Sequence, residues 1–164
     1  MKSNKFFFAA MLTVAMVACK PDCQWKPVGD HIMTEWGENL SPDNVHQEYP
    51  RPQLVRDEWV NLNGMWNYAI TAADAEDSEC ADGQILVPFA VESSLSGVGR
   101  KVTGDDALWY EREFKVPFAW NGKRVILHFG AVDWHAMVYV DGSFVGEHKG
   151  GYAPFCFDIT DHLS

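Results

Sequence analysis

The sequence predicts an all-β fold, a two-sheet sandwich or jelly roll, and three observations predict it. From residue 60 onward, apolar side chains recur with a period of two rather than 3.6. Turn signals separate the short apolar runs about every ten residues, the spacing of sandwiches and barrels. The composition is ring-rich, with seven Trp and ten Phe, and aromatic side chains pack well on pleated surfaces. No amphipathic helical pattern, internal repeat or low-complexity run interrupts this.

The strands follow in chain order. Met65 to Ile70 alternates, with Trp66, Tyr68 and Ile70 on one face and Met65, Asn67 and Ala69 on the other. Ile85-Leu86-Val87 is a short buried run stopped by Pro88. Trp109 to Val116 puts Tyr110, Arg112, Phe114 and Val116 on one face, with Trp109, Glu111, Glu113 and Lys115 opposite, and Pro117 ends it. Lys123 to Phe129 aligns Val125, Leu127 and Phe129. Ala136, Val138 and Val140 share a face. Asp141-Gly142 then predicts a tight hairpin, because a two-residue primed turn needs positive φ at both positions. Phe144-Val145 is the returning strand, and Phe155, Phe157 and Ile159 form a last inward set. Gly150-Gly151 suits a bend that a Cβ would forbid, with Tyr152, Phe155 and Phe157 expected beneath it.

The front of the chain reads differently. Lys2 and Lys5 precede an apolar run from Phe6 to Ala18. At about 13 residues it is too short to span a bilayer and suits the core of a secretory signal. Met16-Val17-Ala18-Cys19 has the form of a bacterial lipobox, with Met where Leu is usual. Two outcomes stay open, ordinary cleavage or removal with lipidation of Cys19. Both predict export, to the periplasm, the outer membrane or the cell surface of a bacterium. The only membrane contact expected is through an acyl chain on Cys19. Residues 19–52 carry Pro21, Pro27, Pro42, Pro50 and Pro52 with no sustained period and read as an extended arm. Asn44 to Glu48 is expected to form a helical turn or to extend along a neighbour.

A formal net charge of −10 excludes two partner classes. Acidic chains repel phosphate backbones, so no nucleic acid is expected, and no basic patch is available to hold an anionic membrane. Cys19 and Cys23 lack His or Cys partners at metal-site spacing, so no metal is expected. A Cys80–Cys156 disulfide is permitted outside the cytoplasm, but spacing does not establish it.

Several motifs occur together and in order. Leu62-Asn63-Gly64-Met65-Trp66 opens the first strand. Val87-Pro88-Phe89 is followed by Glu92-Ser93-Ser94-Leu95-Ser96-Gly97-Val98. Trp109-Tyr110-Glu111-Arg112-Glu113-Phe114-Lys115-Val116-Pro117 comes next. Then come Gly122-Lys123-Arg124-Val125, Val132-Asp133-Trp134, Asp141-Gly142, Val145-Gly146, His148, Gly150 to Phe155, and Phe157-Asp158-Ile159-Thr160. Across about 100 residues this series resembles the N-terminal sugar-binding domain of family 2 glycoside hydrolases, the β-galactosidase, β-glucuronidase and β-mannosidase group. Glu111 stands where that family often has Arg, and Asp141 where it often has Asn.

The resemblance implies a galactose-binding-domain-like jelly-roll β-sandwich over residues 53–164, short of its last strand or strands. It follows that the sequence stems from a partial gene or a split reading frame. Family 2 enzymes are retaining glycosidases, whose mechanism needs two carboxylates about 5 Å apart. In the family these are glutamates of a TIM barrel beyond this domain. No catalytic residue and no cofactor are therefore assigned here, and a β-linked saccharide is expected to be engaged through the barrel. The resemblance places candidate sugar contacts at Glu92, Arg100, Asp105 and Asp106, and at Trp134, His135, Lys149 and Tyr152. Each has a plainer alternative: a solvated loop for the first group, domain packing for Trp134, a satisfied polar group for His135 and His148. Three functions are weighed: an ancillary domain of a glycosidase, a lipid-anchored carbohydrate-binding protein without catalysis, and a structural sandwich with no sugar contact.

Overall fold

A computed structural model describes residues 25–163 apart from 77 and 79. The leader, Cys19 and Cys23 lie outside the described residues. The chain divides into two compact units, one ending at Arg112 and the other beginning at Glu113.

In the first unit, β1 (Gly64–Ala72) is the centre of a three-stranded antiparallel sheet, flanked by β2 (Gly83–Val87) and β3 (Asp106–Glu111). Ile85 and Leu86 are fully buried, as a short apolar run bounded by turns requires. The start of β1 is fixed by Arg112, whose Nη1 donates to the carbonyls of Leu62 (2.9 Å), Asn63 (3.0 Å) and Met65 (3.4 Å). Partial burial holds that guanidinium below its ordinary pKa. Gly64 adopts φ +122°, and a Cβ there would stand 3.0 Å from Arg112 Nη1 and 3.3 Å from the Pro42 carbonyl oxygen. The Asn-Gly of the opening motif thus serves a close backbone approach. Indole donors complete the frame, Trp66 to the Leu62 carbonyl and Trp109 to Thr71 Oγ1, each at 2.8 Å.

The proline-rich arm is bonded to this unit rather than free of it. Trp25 Nε1 donates to the Leu95 carbonyl at 3.1 Å and the Val28 amide to the Ser94 carbonyl at 3.0 Å. Asn61 Nδ2 donates to the His46 carbonyl at 2.7 Å, and Val45 is fully buried. Of the two outcomes open for Asn44–Glu48, it forms no helical turn but lies along a neighbouring segment, its Val45 and His46 carbonyls accepting from Asn61 and Asn63. The helical turn of the arm is α1 (Glu35–Glu38), where Thr34 Oγ1 caps the Gly37 amide at 3.2 Å.

In the second unit, β4 (Ile126–Phe129) pairs antiparallel with β7 (Phe155–Asp158), and β5 (His135–Val140) with β6 (Ser143–Lys149). The core gathers Val125, Val140 and Ile159, with Phe114, Val116, Leu127 and Phe157 among those packed on it. Asp141 (φ +48°) and Gly142 (φ +74°) close the β5–β6 hairpin as expected. A bulge at Val138/Tyr139 then shifts the register by one. Arg124 donates to Asp158 Oδ2 through Nε and Nη2, each at 2.8 Å. Thr160 donates to Asp158 Oδ1 and accepts from the Val125 amide at 2.9 Å.

The observed strands are shorter than their sequence signals in two places. β3 ends at Glu111 rather than Val116, although exposed and half-buried residues still alternate from Glu111 to Val116. Alternation records which face is covered, and a segment keeps it after ladder pairing stops. β4 begins at Ile126 rather than Lys123. Tyr152 is fully exposed and lends nothing beneath the glycine bend. Phe155 fills that role, stacked between Phe129 (4.7 Å) and His148 (4.2 Å). No disulfide joins Cys80 to Cys156.

Candidate functional site

The eight sequence-derived candidates divide four and four between the units. In the first unit, Glu92, Arg100, Asp105 and Asp106 border a loop organised by Ser96, which is fully buried. Its hydroxyl donates toward the carbonyls of Ser93 (2.7 Å) and Val91 (3.2 Å) and accepts the amides of Val98 (3.0 Å) and Gly99 (3.4 Å). One side chain thereby satisfies a turn that has no regular ladder. Gly97, at φ +80°, lets the loop lie against Trp25, whose Cδ1 would stand 2.9 Å from an added Cβ.

Glu92, Arg100 and Asp105 are exposed, as a hydroxyl-binding rim would be. Asp106 is more committed. Its Oδ2 accepts from the Thr103 amide (2.8 Å) and hydroxyl (2.9 Å). Those bonds, with a smaller contribution from Arg100, hold its carboxyl below the usual range. Tyr110 carries a shift that sequence reasoning did not foresee. Burial around its hydroxyl pushes its pKa to about 12, with Glu92 and Tyr68 adding to the shift, although the whole side chain is 41 % exposed. Tyr110 is thus a neutral donor and acceptor close to a carboxylate.

In the second unit, three of the four candidates converge at the open end of the β5–β6 hairpin. His135 lies directly opposite Lys149, and its Nε2 is 2.8 Å from Glu147 Oε2. The His135 bond, then the Lys149 charge, hold Glu147 below its ordinary pKa. The Trp134 carbonyl accepts the Gly150 amide at 2.7 Å, while its ring remains 64 % exposed. Asp133 lies so close to Gly151 that an added Cβ would stand 2.4 Å from its Oδ1. Tyr152 follows on that bend, fully exposed. The result is an open rim with an indole face, a carboxylate–imidazole pair and an ammonium. That chemistry stacks on rings and hydrogen-bonds hydroxyls.

Sequence reasoning missed Glu147, which strand pairing brings within reach of His135, and Asp133, which the loop sets against Gly151. It also expected His148 to be a satisfied group. Its Nε2 is buried with no hydrogen-bond partner among the described residues. Among the described residues no group of three or more His, Cys, Asp or Glu is placed to hold a metal. No helix there is long and apolar enough to cross a membrane.

Comparison with known proteins bears on the family and the fold. Residues 59–164 match the family described as glycosyl hydrolases family 2, sugar binding domain. A β-glucuronidase of Paenibacillus borealis is 34% identical over 118 residues, covering 68% of this chain and 20% of its own length. A β-galactosidase of Thermoanaerobacter pseudethanolicus is 56% identical over 55 residues, 34% of this chain and 7% of its own. The solved β-glucuronidase of Faecalibacterium prausnitzii superposes with a TM-score of 0.55 at 28% identity, over 68% of this chain and 20% of that one. The chain spans a fifth or less of the length of these relatives. The expected all-β sandwich class is thereby supported, and the chain belongs to glycosyl hydrolase family 2 through its sugar binding domain.

Proposed function

We propose that this chain is the N-terminal sugar-binding domain of an exported glycoside hydrolase acting on O-glycosidic bonds. Bond cleavage belongs to a catalytic barrel outside these residues, and the domain contributes binding groups. The observation that carries this reading is the match of residues 59–164 to the family's sugar binding domain. The relatives in which such a segment occurs are named for β-glucuronidase and β-galactosidase activity. The rim at Trp134, His135, Glu147 and Lys149 supplies the kind of groups the role needs. Export rests on the leader pattern from Lys2 to Cys19.

The test is the reading frame beyond Ser164 and the activity of its product. The 164-residue chain should not turn over aryl β-glycosides, whereas the chain extended by a downstream barrel should. Turnover by the short chain, or a stop codon after Ser164 in the gene, would overturn the proposal. The Met16-Val17-Ala18-Cys19 motif favours a second reading, a lipid-anchored carbohydrate-binding protein without catalysis. A stop codon with palmitate incorporated at Cys19 and lost in Cys19→Ala would support that alternative.

A further inference from the structure

The arm ahead of the family-matched residues holds a cleft of about 630 Å³, lined by Glu35, Trp36, Asn39, His46 and Glu48 among others. That volume lies within the range of small-molecule sites, about 300–1,000 Å³. Its walls are tied in place. Asn39 Nδ2 donates to the Glu35 carbonyl at 2.8 Å, and Asn44 bridges the Ser41 amide (2.7 Å) and the Asn39 carbonyl (3.2 Å). The neighbouring Val45 is fully buried, and the His46 ring faces Phe89 at 6.2 Å. On this braced frame the Trp36 indole is 81 % exposed. A large ring held out beside a cleft forgoes the burial that rings of its size usually gain.

We propose that this cleft is a separate binding site for an uncharged saccharide unit. The Trp36 indole is the stacking platform, and the Glu35 and Glu48 carboxylates accept hydroxyl donors. A sugar ring has an apolar C–H face for the indole and a polar edge for acceptors, which is the combination the cleft offers. Among the described residues the lining includes two carboxylates and no Lys or Arg. A uronate or phosphate therefore meets like charge, and the cleft discriminates against anionic sugars. Glu48 Oε1 lies 3.5 Å from His46 Nδ1 at the cleft's edge. The site lies outside residues 59–164 and does not rest on the function proposed above.

The test titrates the 164-residue chain with lactose, cellobiose and mannobiose, then with glucuronate and tetramethylammonium. It follows the assigned Trp36 indole N–H by NMR. At least one neutral disaccharide should shift that signal with millimolar half-saturation, and glucuronate should bind about tenfold more weakly. By titration calorimetry, which needs no indole probe, Trp36→Ala should weaken the neutral sugar about tenfold, and Glu35→Gln with Glu48→Gln about threefold, with far-UV dichroism unchanged. Should Trp36→Ala fail to fold, the two Gln variants carry the test. The proposal is overturned if no neutral disaccharide moves the Trp36 signal up to about 100 mM. It also falls if the variants leave affinity unchanged, or if glucuronate or tetramethylammonium binds more tightly.

Discussion

Gly146 is one of two glycines of the second unit that a neighbour approaches too closely for a Cβ, and Gly146→Ala tests why it is needed. An ideal Cβ there would stand 2.4 Å from Phe157 Cε1, 3.0 Å from Cδ1 and 3.1 Å from Cζ. Carbon atoms in contact rest about 3.5–4.0 Å apart, so the ring must retreat by about 1 Å. Phe157 cannot do this freely. It packs on the Val125–Val140–Ile159 core and meets Phe155 edge-on at 5.7 Å. Overpacking of this kind costs about 1–3 kcal/mol, against about 0.5–1 kcal/mol recovered by removing a glycine from a strand. The steric cost wins, for a net loss of about 1–2 kcal/mol. At this chain length that lowers Tm by about 2–4 °C for each kcal/mol. Urea unfolding of Gly146→Ala, Phe157→Ala and the double variant reads it directly. The single Phe157→Ala should cost about 3–5 kcal/mol, and the double variant should be more stable than the sum predicts by at least about 1 kcal/mol. If Gly146→Ala is as stable as the parent, or if the two changes add within about 0.5 kcal/mol, the close-approach argument is wrong.

Other outcomes follow from the same contacts. Arg112→Met removes three carbonyl bonds at the start of β1 and should cost about 2 kcal/mol, with faster amide exchange there. Arg112→Lys should rescue little, because an ammonium lacks the planar fork; full rescue would show that charge alone suffices. Thr160→Val leaves the Val125 amide without its acceptor and should cost about 1–3 kcal/mol by urea unfolding, whereas an unchanged midpoint would show that this bond is dispensable. Thr160 first, then Arg124, lower Asp158 to about 2 from an unfolded value near 3.8. A depressed folded pKa adds stability above the unfolded value that is lost as pH falls toward the folded one. Urea midpoints of the parent should therefore fall between about pH 4 and pH 2 by more than those of Asp158→Asn, and parallel curves would refute the assignment.

What the sequence made legible was local. Asp141-Gly142 names its own turn, and that turn fixes Val140 opposite Ser143. Continued without interruption, this register would set His135 opposite His148. The bulge at Val138/Tyr139 sets it opposite Lys149 instead, and so decides which groups share the candidate rim. The one available signal was Gly146, since an isolated glycine in a strand marks a bulge or a close backbone approach. The arm shows a different limit. Its prolines and lack of period read as linker, yet Trp25 and Val28 bond to Leu95 and Ser94, some seventy residues away. Such contacts depend on where a distant loop folds, which no local period encodes. For the same reason Trp36 and its cleft were invisible, as α1 is a single turn with too few residues to show a face.

A general acid for glycoside hydrolysis needs a carboxyl raised toward neutral pH by an apolar setting or a neighbouring anion. Where carboxyl groups are shifted here, at Asp106, Glu147 and Asp158, each is lowered, and in each case the first cause is a hydrogen bond to a threonine or histidine. Such groups stay ionised and accept hydrogen bonds; they do not deliver protons. Among the described residues the single upward shift is Tyr110, a phenol too weak an acid to protonate a leaving group near neutral pH. A loop whose turns are closed by Ser96 and Asp106, and a hairpin end whose carboxylate is held by an imidazole, make rigid acceptors at fixed positions. Rigid acceptors orient hydroxyls at little entropic cost.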